Sequence, residues 1–128
     1  MDEENLLVHL CSLPEWEAAR LAGEVCPQSL ADVGFVHLSA QYQVHLPANR
    51  LFAGRRDLVV LYVDPAILSA PLRWEPGVPG DPDSMLFPHL YGAIPAAAVV
   101  AVRAYRPGSD GRFPVLIHRA EPLGYSRR

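Results

Sequence analysis

Apolar and polar residues alternate from Leu6 to Cys11, with Leu6, Val8 and Leu10 on one face and Leu7, His9 and Cys11 on the other. That period of two predicts a strand. Ser12-Leu13-Pro14-Glu15 then has the spacing of a capping box with proline in the first turn. The helix it starts carries Trp16, Ala19 and Leu21 and stops near Gly23. Val25 to Asp32 reads as irregular, broken at Cys26-Pro27. Gly34 to Ser39 is a second strand, placing Phe35, His37 and Ser39 on one face and Val36 and Leu38 on the other. Pro47 bars a smooth run from Gln41 into a long helix and instead opens a short one, Pro47 to Phe52, closed at Gly54. His45, just before it, is expected in a surface loop. Asp57 to Val63 is apolar on both faces, as a central buried strand should be. Further strands are expected over Leu72–Glu75, Ala98–Tyr105 and Phe113–Ile117, with an irregular loop from Pro76 to Phe87 of the kind that often covers a site. Trp16 and Trp74 fall where periodicity predicts burial.

Many short strands with a few short helices define an α+β class. The pattern gives one domain over residues 1–121 and a loose tail over 122–128. At 128 residues, 50% hydrophobic and 20% charged, such a chain buries roughly two-thirds of its unfolded surface. No apolar run is long enough to span a membrane. The acidic start, Met1-Asp2-Glu3-Glu4, is unlike a signal peptide, so a cytoplasmic location is expected. Cys11 and Cys26 make no CxxC pair and are expected to be reduced thiols.

Charge narrows the chemistry. All 11 basic residues are arginine, which removes a Schiff-base lysine, a P-loop lysine and a Ser-Lys dyad. The formal net charge of -3 provides no global support for a nucleic-acid groove. Arginine's planar fork nevertheless suits phosphate or carboxylate recognition.

Four of the five histidines share one local spelling: Val8-His9-Leu10, Val36-His37-Leu38, Val44-His45-Leu46 and Pro88-His89-Leu90. Imidazole where alternation would allow valine lines either a core or a pocket. With Ser39, Glu75 and Tyr91, the residues His9, His37 and His89 form the strongest constellation, since neutral imidazoles can clamp ribose hydroxyls or phosphate oxygens. Asn49-Arg50 adds an anion-binding candidate. Three histidines could also hold zinc with an open fourth position, although no HxH, HxxxH or HExxH spacing is present. Ser39 lacks the glycine-flanked elbow of a serine nucleophile, and Cys11 is a weak second choice.

Several segments together carry a family resemblance. They are Leu7-Val8-His9, Trp16-x-x-Ala19, Gly34-Phe35-Val36-His37-Leu38-Ser39, Gln43-Val44, Ala48-Asn49-Arg50-x-Phe52, Asp57-Leu58-Val59-Val60-Leu61-x-Val63-Asp64, Trp74-Glu75 and Phe87-Pro88-His89-Leu90-Tyr91-Gly92. Over about nine-tenths of the chain the sequence resembles the bacterial domain of unknown function 952 family. That family is similar in fold to ADP-ribosyltransferases and RNA 2'-phosphotransferases. The resemblance implies two small mixed β-sheets with short flanking helices, and a cleft between them for NAD or an ADP-ribosylated intermediate. It also implies a His or Arg on the first strand, a Tyr or His on the next core strand, and a polar residue, often Glu, on a later one. His9 takes the first position and His37 the second, with His89 or Glu75 as the third. No glutamate follows the usual third-motif pattern.

The resulting expectation is a cleft that binds NAD or an ADP-ribose-like or phosphorylated ligand. Its catalytic candidates are His9, His37, His89 and Glu75, and its ligand-binding candidates are Ser39, Asn49, Arg50 and Tyr91. NAD would enter as substrate, with no resident metal. The activity would be ADP-ribosyl-type transfer, stabilising positive charge at the anomeric carbon. The alternatives are a non-catalytic module for a small anionic ligand and a metal-dependent hydrolase.

Overall fold

A computed structural model describes residues 5–77 and 85–116; the 122–128 tail lies outside them, as do Ile117 and most of the Pro76–Phe87 loop. Strand β1 (Leu7–Ser12) runs directly into helix α1 (Leu13–Ala22). The capping box forms as its spelling implies. Ser12 Oγ accepts from the Glu15 N–H at 3.2 Å, and Glu15 Oε1 accepts from the Ser12 N–H at 2.7 Å. Gly23, at φ 94°, ends the helix in the left-handed region that glycine enters without a Cβ penalty.

The segment expected to be irregular contains a two-residue strand β2 (Glu24–Val25) and a six-residue helix α2 (Gln28–Val33). The helix has no side-chain cap, so the spelling that announces α1 is missing there. The next stretch departs most from expectation. Gly34–Ser39 is not one strand: β3 (Val36–His37) and β4 (Ser39–Ala40) pair in different sheets. A 3-10 turn (Gln41–Gln43) leads into helix α3 (His45–Leu51). His45 therefore begins a helix and is half-buried rather than looped out. Pro47 still falls in the first turn, where its missing N–H costs nothing.

Strand β5 (Leu58–Val63) is buried along its whole length, and β6 (Leu72–Pro76), β7 (Leu86–Leu90), β8 (Ile94–Pro95) and β9 (Val99–Ala104) complete the set. Residues 113–116 carry no strand pairing, which corrects the expected last strand over its described part. The α+β class holds. A four-stranded sheet has the order β4-β1-β5-β9, a three-stranded sheet β3-β7-β6, and β2 pairs β8. Every described pairing is antiparallel, not mixed.

Alternation on β1 and β5 divides the core. Leu7, Cys11, Val59, Leu61 and Val63 face the three-stranded sheet and pack with Val36, Leu38, Leu90 and Ile94. Leu6, Val8, Leu58, Val60 and Tyr62 face the other way and pack with Val44, Ala48, Tyr105 and Phe113. Trp16 packs against the first cluster. Trp74 does not fulfil its expected burial: it is 46% exposed, on an edge strand beyond which no further strand pairs among the described residues.

Candidate functional site

A cleft of about 720 Å³ opens along β1 beyond its two-residue pairing with β4, within the range typical of small-molecule sites. His9, His37 and Ser39 line it, together with Cys11, α1, the Glu24–Ser29 segment, Pro47 and Leu51 of α3, and Phe52 just after it. The alternation on β1 that sends Leu7 and Cys11 into the core also sends His9 between the sheets.

His9 is 7% exposed, and its Nδ1 lies 2.8 Å from the His37 carbonyl oxygen. A carbonyl only accepts, so Nδ1 carries the proton and Nε2 is left with a lone pair. Burial pushes the His9 imidazole below its ordinary value, outweighing the His37 carbonyl bond, which acts in the opposite direction. His37 is exposed. Partial burial, then the neighbouring His89 and then Arg50 hold its imidazole low as well. Both rings are therefore neutral near pH 7.

The remaining site candidates sit on the three-stranded sheet. Register places His37 opposite His89 and His89 opposite Arg73, so these side chains share a face with Glu75, two residues along β6, and Tyr91, just past the end of β7, bonds that same Glu75. Glu75 Oε1 accepts from the Tyr91 hydroxyl at 2.7 Å and bonds His89 Nδ1 at 2.8 Å. Those two contacts, Tyr91 first, hold the Glu75 carboxyl below its usual range, and the same bond raises the Tyr91 phenol. The Arg73 guanidinium lies 5.5 Å from the Tyr91 ring centroid. His89 is 2% exposed, and its Nε2 is buried with no hydrogen-bond partner among the described residues.

Phe35 also belongs to this face, although sequence reasoning did not place it in the site. Its ring stacks on His89 at 4.0 Å and 17°, and meets His37 edge-on at 4.9 Å. The signal was present, since Phe35 precedes His37 by one strand period.

The structure thus brings the predicted residues together as two linked groups. His9, His37 and Ser39 line the cleft, while Glu75, His89 and Tyr91 form a bonded set behind it that does not line it. Asn49 sits in the fold's own bonding: Oδ1 accepts from the Phe113 N–H at 2.7 Å, and Nδ2 donates to the Phe113 carbonyl at 3.3 Å. Arg50 is exposed on α3, and its charge reaches His37. Arg55, also at the cleft, is held by Asp57 through two contacts of 2.9 and 2.6 Å. Both cysteines border the cleft and are free thiols. Burial, with Glu15 second, pushes the Cys11 thiol up to about 12, leaving it protonated and a poor nucleophile. Among the described residues, no group of three His, Cys, Asp or Glu side chains is placed to hold a metal ion, and no helix is long and apolar enough to cross a membrane.

A family model described as protein of unknown function (DUF952) matches residues 10–102. The chain belongs to the DUF952 family. The matched DUF952 span takes in every site candidate except His9, which lies one residue before it. The X-ray structure of protein CC0527 from Caulobacter crescentus is similar at 33% identity and a TM-score of 0.71, over 85% of this chain and 93% of that one. The X-ray structure of a double mutant of CC0527 gives 32% identity and the same TM-score and coverage. A solution NMR structure of CC0527 gives 33% identity and a TM-score of 0.69, over 84% and 90%. No curated protein matches this DUF952 chain.

Proposed function

We propose that the cleft binds NAD or an ADP-ribose-like ligand through ribose hydroxyls. The observation that carries this reading is the fixed tautomer of His9. Its Nδ1–H is committed to the His37 carbonyl and burial keeps the ring neutral, so Nε2 is an acceptor beside a second neutral imidazole. A neutral acceptor suits a hydroxyl; a fully ionised phosphate offers it no proton. Ser39 adds a hydroxyl on the same wall. Arg50, whose charge reaches His37, supports the phosphate end, while Glu15 and Glu24, which line the cleft, suit the cationic nicotinamide ring.

In the transferase form of this reading, Glu75 acts through His89 rather than on the ligand, since neither lines the cleft. The implied kinship with the ADP-ribosyltransferase fold belongs to the same proposal.

Calorimetry tests it. NAD and ADP-ribose should each bind saturably at one site. His9→Ala should weaken binding about 5- to 10-fold, as expected for one lost hydrogen bond worth about 1 kcal/mol. Silent titrations with NAD, ADP-ribose and 2'-phosphorylated RNA alike would overturn it. Saturable binding without nicotinamide release over a day would leave the binding module and remove the transferase.

A further inference from the structure

His89 lies on the middle strand of its sheet, and its ring is engaged from both sides. Toward β6, Nδ1 meets the Glu75 carboxylate at 2.8 Å. Toward β3, the ring meets His37 edge-on, with centroids 5.4 Å apart at 84°. Phe35 covers its face at 4.0 Å. Under that cover, Nε2 has no hydrogen-bond partner among the described residues. A buried ring nitrogen without a partner is costly, and the ring is otherwise fixed by the carboxylate and the stacked phenyl. His37, in register across the sheet and with its ring centroid 5.4 Å from that of His89, is a polar side chain beside it.

We infer that His37, His89 and Glu75 form a proton relay linking the ligand cleft to a carboxylate behind it. His37 has one foot in each place: it lines the cleft and lies in register with His89. The step conserves charge and oxidises nothing. As one nitrogen of His37 takes a proton from a hydroxyl in the cleft, its other nitrogen gives one to His89 Nε2. The deprotonated hydroxyl in the cleft is then balanced by a His89 imidazolium paired with Glu75. Tyr91 keeps the Glu75 carboxylate ionised by donating to the same oxygen, so the pair at the end of the relay is an imidazolium with a carboxylate rather than two neutral groups. This is the logic by which a carboxylate orients and stabilises an imidazole in nucleophile–His–acid triads. His37 is the residue that would touch ligand, whereas His89, Glu75 and Tyr91 position and discharge it.

Among the described residues, the charged and titratable groups facing the relay are these: Arg50 from α3 acts on His37, which itself acts on His9 of β1, and Glu75 and Arg73 from β6 face His89 and Tyr91. His37 should therefore report the state of Glu75, although the two are on different strands and not bonded. The relay rests on the proposed use of the cleft, but its test needs no ligand, so failure of NAD binding would leave it standing and its own failure would leave the binding reading intact.

The experiment is an NMR titration of the histidine ring carbons in the full-length protein, comparing wild type with Glu75→Gln and Tyr91→Phe. In Glu75→Gln the relay loses its terminal charge and the proton stays on His37, whose midpoint rises by about half a pH unit or more. In Tyr91→Phe the carboxylate loses its donor and becomes more basic, so the His89–Glu75 pair takes up a proton more readily and the His37 midpoint falls. Opposite signs distinguish a relay from general disturbance of the sheet. A His37 midpoint indifferent to Glu75→Gln, or moving the same way in both variants, overturns the assignment. Should Glu75→Gln not fold, the fall in Tyr91→Phe carries the test alone, and no fall refutes it.

Discussion

Asn49 offers a direct trial of how the cleft's surroundings are built. Its side chain closes both main-chain groups of Phe113, a residue 64 positions away. Phe113 is 3% exposed and packs against Tyr105 with ring centroids 5.0 Å apart, covering the outer face of the four-stranded sheet. The Asn49→Ala change removes two hydrogen bonds and leaves a partly buried N–H and C=O unpaired. At about 1 kcal/mol for each bond, plus part of the penalty for orphaned groups, the loss is about 3 kcal/mol. That is a large share of the roughly 5–15 kcal/mol a domain of this size possesses. It should lower Tm by about 10–20 °C. Urea unfolding followed by circular dichroism reads the effect as a lower midpoint, and calorimetry with ADP-ribose on the folded variant should show affinity unchanged within about twofold. An unaltered urea midpoint combined with lost ligand affinity would refute the structural role and return Asn49 to the ligand.

Acid should weaken the fold. His9 and His37 both have folded-state values below the 6.5 of an unfolded chain, so the unfolded state binds more protons below that pH and stability falls with acid. The urea midpoint should be lower at pH 5.5 than at pH 7.5, and His9→Gln should flatten the difference; Glu75 and Asp57, whose values are lowered from 4.5 and 3.8, act only at lower pH. An equal or higher midpoint at pH 5.5 would contradict this. Separately, a Cβ on Gly92 would lie 2.6 Å from the Ala70 Cβ, so Gly92→Ala should cost about 1–3 kcal/mol. Adding Ala70→Gly should restore most of the loss; if it does not, the close contact is not the cause.

What could be read from the sequence was local. Ser12 and Glu15 cap α1 because both halves of the box lie within three residues, and β5 is unmistakable because it is apolar on both faces. What could not be read depended on partners distant in sequence. The period-two pattern of Gly34–Ser39 continues unbroken through Leu38, so nothing in it marks the passage from one sheet to the other. Trp74 has the spelling of a core residue and is exposed only because its strand lies at an edge. The site divided in the same way: the histidines were legible as anomalies in apolar strands, whereas the bond from His9 to the His37 carbonyl and the stacking of Phe35 on His89 needed the register.

The crossing at Leu38 has a mechanical consequence. The Leu38 N–H still bonds the Pro88 carbonyl at 3.0 Å, while Ser39 already pairs with Val8 in the other sheet. The joint between the sheets is thus a single residue, anchored on both sides, with His37 immediately before it and Ser39 immediately after. Such a joint has no slack. A pull on His37 is felt at Ser39 and β1 without a loop to absorb it, so this wall of the cleft moves as one hinge leaf or not at all.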